Sequence, residues 1–239
     1  MAVLWQIFFA RCLSVKLDFT LIALLVLSVW LIYVADRIFD AHLRPCEIPR
    51  HMFYKNHWRS FAPVWLCAFG GAAWLACTRL PRTIFRDGFA LLAGIGIYFA
   101  IVHWIAPKRA WPKEFAVALL FTLGASLATW GHIRSGTDIA IIALFGALCW
   151  INCAAIEQWE ARSLAAWPVR EASIAVGLVA LVFLYDRRPI VSGAETASAF
   201  AFVMLDHAKR RLSADALRVL ADVALLTPLL FLPVAGLRQ

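Results

Sequence analysis

Asp36 and Asp40 stand four residues apart in the stretch Tyr33-Val34-Ala35-Asp36-Arg37-Ile38-Phe39-Asp40. On a helix that spacing puts both carboxylates on one face, about 5–6 Å apart at Cβ, close enough to share a divalent cation. Arg37, Arg44, Arg50 and His51 follow within the same segment, so a metal and a polyanion could be held side by side. Mg²⁺ needs only one or two carboxylates when substrate phosphates complete its shell, and guanidinium forks match phosphate oxygens. Charge at the end of an apolar run is also the ordinary signature of a helix meeting water. Spacing alone leaves both readings open.

A second acidic stretch reads Asn152-Cys153-Ala154-Ala155-Ile156-Glu157-Gln158-Trp159-Glu160. Asn152, Glu157 and Glu160 can share part of a helix face and offer one amide and two carboxylates. Between the two stretches lies a compact basic loop, Pro107-Lys108-Arg109-Ala110-Trp111-Pro112-Lys113, suited to a diphosphate or to anchoring on the cytoplasmic side. His51 and His57 lack a third ligand, and His51 can at most touch an anionic substrate. Cys149 and Cys153 read as core. Asp222, inside Val219-Leu220-Ala221-Asp222-Val223-Ala224-Leu225, is an acid at membrane depth and needs a partner or a role. Arg218, one turn back, is the simplest partner on offer.

The elements that must position these groups are apolar. The 239 residues are 63% hydrophobic and 16% charged, with mean hydropathy +0.76. A soluble domain carries about 25% charged residues, so this chain could not cover its surface in water. Apolar runs near 20 residues long recur, which points to spanning helices rather than barrel strands. The expected spans are 18–36, 61–78, 88–106, 114–131, 138–156, 172–185, 190–205 and 215–235. Residues 2–10 are apolar but too short to span, and no basic region precedes them. They read as part of a helix, either continued upstream or packed as a half-helix. The expectation is one all-α transmembrane bundle over 1–239, with about eight spans and a partial leading helix. The six cysteines are scattered without ligand spacing.

The net charge of +8 sits in short loops between the runs, which argues for topogenic bias and against nucleic-acid binding. Loops 37–60, 107–113, 157–171 and 206–218 hold fourteen Lys and Arg, and the other side holds nine. The richer side is expected to be cytoplasmic. Four expected spans separate the two acidic stretches, so both should emerge on that face.

The segment Ser28-Val29-Trp30-Leu31-Ile32-Tyr33-Val34-Ala35-Asp36-Arg37-Ile38-Phe39-Asp40 resembles the first aspartate motif, NDxxDxxxD, of the UbiA-type intramembrane prenyltransferase superfamily. The order of elements is also similar: an acidic motif, a basic loop, then a second acidic motif. Ile32 and Tyr33 replace the leading Asn-Asp of the first motif. In the second, Asn152 fits the first position, Cys153 and Ile156 stand at positions normally acidic, and Glu160 stands for the last Asp. Glu157 can compensate from the neighbouring position.

The resemblance implies a bundle around a cavity open to cytoplasm and lipid, in what is expected to be a bacterial inner membrane. It implies an Mg²⁺-dependent transfer of an isoprenyl group from a prenyl diphosphate to an aromatic or other lipophilic acceptor. Asp36 and Asp40 would then hold a first metal and serve catalysis. Glu157 and Glu160, with Asn152, would hold a second; Arg37, Arg50, His51, Lys108, Arg109 and Asn152 would bind substrate. The departures in the second motif keep a competing expectation open, a non-catalytic relative that binds a lipid or membrane partner. A transporter is disfavoured by sparse intramembrane charge and the lack of a clear inverted repeat.

Overall fold

A computed structural model describes the backbone of residues 1–43, 49–102, 113–161, 168–184 and 188–235; the side chains of 40–43, 49–56, 160 and 161 lie outside the description. The described residues are helical, without a strand. Ten α-helices follow in order: α1 Ala2–Cys12, α2 Phe19–Leu43, α3 Pro49–Arg79, α4 Arg82–Ala100, α5 Lys113–Ser126, α6 Gly136–Ala161, α7 Val169–Phe183, α8 Pro189–Ala208, α9 Ala214–Ala224 and α10 Pro228–Ala235. A 3-10 turn, Leu127–His132, extends α5.

Six stretches are long and apolar enough to cross a membrane: Phe19–Phe39, His57–Arg79, Arg82–Ala100, Lys113–His132, Gly136–Trp159 and Ala214–Ala235. The chain is therefore a helical bundle suited to a multi-pass membrane protein. The third span starts at Arg82, earlier than the expected 88, because the Pro81 that precedes it opens the helix. Over the expected 172–185 the helix is α7, only 15 residues long. The last span is broken at Leu225, dividing α9 from α10.

The chain divides into two compact units, Leu17–Lys113 and Val3–Lys16 with Glu114–Gln239. In the first, α2 lies along α3 and the Trp65 indole N–H donates to the Leu31 carbonyl at 2.9 Å. Phe39 of α2 meets Phe99 of α4 with ring centroids 5.7 Å apart. α4 has no buried residue, and Phe85, Phe89, Leu92 and Ile97 are exposed along it. So much apolar surface facing outward suits lipid as its solvent.

The second unit has a close-packed core. Trp5, Phe8 and Phe9 of α1 and Phe145 of α6 are all fully buried. Trp5 stacks on Phe145 at 4.2 Å, and Phe9 meets the same ring edge-on. α7 packs along α8, where a Cβ added at Gly177 would come within 3.2 Å of Ala199. Small residues at that contact let the two backbones approach, as in membrane helix pairs generally. Two hydroxyls of α5 are satisfied within their own helix: Thr122 donates to the Ala118 carbonyl and Ser126 to the Thr122 carbonyl.

The break between α9 and α10 is secured from outside. The Leu229 N–H bonds the Leu226 carbonyl instead of continuing the α-helical ladder to Leu225. The released Leu225 carbonyl accepts the Trp5 indole N–H at 2.8 Å, and Thr227 shares a 2.7 Å hydrogen bond with Ser198 of α8. Backbone irregularity at membrane depth survives only where other parts of the protein satisfy it. Trp5→Ala removes both the indole volume and this donor, so it should destabilise the fold by about 3–5 kcal/mol. Thermal unfolding in detergent, compared with a surface Trp74→Ala control, measures it.

Candidate functional site

α6 connects two polar ends of the second unit. From Asp138 to Glu157 the helix rises about 28 Å, close to the thickness of a hydrocarbon layer. At its start the Asp138 carboxylate, 1% exposed, accepts the backbone N–H groups of Arg134 and Ser135 at 3.0 and 3.1 Å. Arg188 Nε adds a 2.9 Å ion pair to the same carboxylate. That end is chemically complete.

The other end is not. Asn152, 6% exposed, donates through Nδ2 to Asp222 Oδ1 of α9 at 3.3 Å. A carboxylate can only accept, so the amide nitrogen must face it and Oδ1 turns away. Asn152 Oδ1 is buried and has no hydrogen-bond partner among the described residues; the same holds for Gln158 Oε1 and Trp159 Nε1 in the next turns. Buried polar atoms are normally paired, so three unmet ones at one helix end call for a partner beyond the described residues. The Cys153 thiol lies within electrostatic reach of Glu114 of α5, Asp222 of α9 and Glu157 of its own helix. Three helices thus gather carboxylates around one position. Among the described residues no group of three or more His, Cys, Asp or Glu is close enough to cage a metal. The carboxylate and amide oxygens around that thiol are of the type a hard cation takes when phosphate and water complete its shell.

In the first unit, Asp36 and Arg37 lie half-buried near the end of α2. The Arg37 guanidinium sits over the Tyr33 ring, 5.0 Å from its centroid. Its Nε is buried with no acceptor among the described residues, which leaves a donor for an anion. The side chains of Asp40, Arg50, His51 and Glu160, and residues Lys108 and Arg109 altogether, lie outside the described residues.

Of the expected site residues, Asn152 and Glu157 therefore fall within one described cluster, and Asp36 and Arg37 within another. Two acids were not singled out as ligands by sequence: Glu114 and Asp222. Glu114 opens α5 directly after the basic loop, and Asp222 interrupts an apolar span. The second signal was visible, but the hydrogen bond described for Asp222 goes to Asn152, 70 residues away.

Compared with known proteins, the chain matches no family model, no curated protein and no solved structure.

The Asn152–Asp222 contact should behave as a coupled pair. Asp222→Ala and Asn152→Ala should each destabilise the protein, with the double variant less affected than their sum by on the order of 1 kcal/mol. Thermal unfolding of the four proteins closes the cycle; strict additivity would show that the bond contributes nothing.

Proposed function

We propose that this chain is an intramembrane prenyltransferase of the UbiA type, with eight spans, that uses its acidic stretches to act on a prenyl diphosphate. The observation that supports it best is the carboxylate cluster at the end of α6, where Asp222 and Glu114 add acids that the second motif lacks at Cys153 and Ile156. A half-buried Asp36–Arg37 pair at the end of α2 supplies the matching first stretch. In this reading both face the cytoplasmic side of a bacterial inner membrane.

The residues fit Mg²⁺ by their donor chemistry. Asp36 and Asp40 would hold one ion; Asn152, through its unpartnered Oδ1, with Glu157 and Glu160 would hold another. Bound Mg²⁺ supplies neutralising charge for a departing diphosphate. The chain's own cations share that work: Arg37, Arg50, His51, Lys108 and Arg109 bind the diphosphate oxygens. Ionisation breaks the allylic C–O bond, and its electron pair leaves with the diphosphate. The allylic cation then bonds to a lipophilic or aromatic acceptor, which releases a proton. Apolar side chains around the tail exclude water and protect the cation from hydrolysis.

A second reading has its own support. Cys153 and Ile156 occupy positions that would carry acids, and no three-residue metal group exists among the described residues. A bundle of this kind could bind a prenyl lipid or a membrane partner without turning it over.

Release of diphosphate from radiolabelled prenyl diphosphates by membranes holding the protein separates the two. Turnover should require Mg²⁺, and Asp36→Asn or Asp40→Asn should lower it at least about 100-fold, the scale of a few kcal/mol of lost charge stabilisation. The amount of folded protein should stay constant. Full turnover in both variants would remove the mechanism, and Mg²⁺-independent binding without product would favour the second reading.

A further inference from the structure

The carboxyl group of Glu195 is the most costly feature of the second unit that the proposed reaction leaves unused. It lies within α8, is fully buried, and neither oxygen has a hydrogen-bond partner among the described residues. Ser192, one turn earlier, is also fully buried with an unpartnered hydroxyl. Arg188, Ser192 and Glu195 follow at i, i+4 and i+7, so they line one face of α8. Ser198 continues the face and is tied to Thr227, at the break between α9 and α10.

Arg188, a cation at the start of this face, is committed elsewhere. Its Nε pairs with Asp138 and its Nη1 donates to the Cys12 carbonyl, both at 2.9 Å. Glu195 stands seven residues further in, about 10 Å along the helix. Burial pushes the Cys12 thiol up to about 12, Arg188 draws it down and Glu195 adds to the rise, which sets both side chains near one thiol. Among the described residues, the other packed elements bring no cation to the carboxyl. α10 carries no titratable group, and on α7 Arg170 and Glu171 are exposed. On α9 Asp215 is exposed, Asp222 bonds Asn152 at the far end of α6, and Arg218 lies on the turn before Asp222.

An ionised carboxylate without a donor is too costly in such surroundings; the group neutralises instead. A neutral carboxyl still carries one donor and one acceptor, with an unmet hydroxyl one turn away, and enclosed water satisfies such a set. A metal cation is the poorer match, since only three oxygens are unmet here and a proton needs one. We propose that Glu195 is a proton-binding site in the interior of the second unit: a carboxylic acid, bridged by enclosed water to Ser192, that exchanges its proton through the Arg188 end of α8. The inference does not depend on the prenyltransferase reading.

Infrared difference spectroscopy of the purified full chain in lipid nanodiscs tests it. A protonated-carboxyl carbonyl band should be present at neutral pH, shift on transfer to D₂O within the measurement, and vanish in Glu195→Gln. Ser192→Ala should move the band without removing it, which keeps the test intact should Glu195→Gln fail to fold. Absence of any band sensitive to these variants at neutral pH, or a band that refuses to exchange in D₂O, would overturn the proposal. So would a sodium-dependent gain in thermal stability that Glu195→Gln abolishes, since that assigns the site to a metal cation.

Discussion

The indole N–H of Trp5 and the carbonyl of Leu225 are 2.8 Å apart across 220 residues of chain, and the architecture of the second unit is organised around such pairings. A bilayer offers no hydrogen-bond partners, so each break in a helix must be closed by the protein itself. The interruption between α9 and α10 exposes backbone that Trp5 and Ser198 then satisfy. This requirement explains why a helix too short to span is held in the core. α1 contributes a donor where the last span needs one, and its three buried aromatic rings hold that donor in place.

The same accounting separates the two ends of α6. At Asp138 every oxygen is answered, by two backbone N–H groups and a guanidinium. At the other end Asn152, Gln158 and Trp159 keep polar atoms with no partner among the described residues. In a low-dielectric interior, fully satisfied groups rigidify a fold, while unmet ones carry a penalty that a bound ligand removes. One end of the helix thus serves as an anchor, while the other keeps polar atoms that have no partner among the described residues.

The spans from α2 to α6 were legible because apolar runs of the right length dominate any other signal. The limits of that reading have specific causes. α8 carries Glu195 amid small residues, which dilutes its apolarity, and nothing in the local sequence distinguishes a buried acid from a boundary one. The break near Leu225 precedes Pro228, yet the partner that permits it, Trp5, lies at the opposite end of the chain. Asp222 could be flagged as an anomaly, but its bond to Asn152 is a tertiary contact that i, i+4 reasoning does not reach. Glu114 lay in plain view beside the basic loop; only the packing of α5 and α9 on α6 gives it acidic company.

α4 buries none of its residues, whereas the core of the second unit is tightly interlocked. Packing against neighbours normally fixes the tilt of a spanning helix, and where it is sparse the thickness of the surrounding annulus has more say. A bilayer thinner or thicker than the 19 residues of α4 would be accommodated first in this helix. Lipid acyl length thereby becomes a variable of the first unit's geometry, and with it of the helix end that carries Asp36.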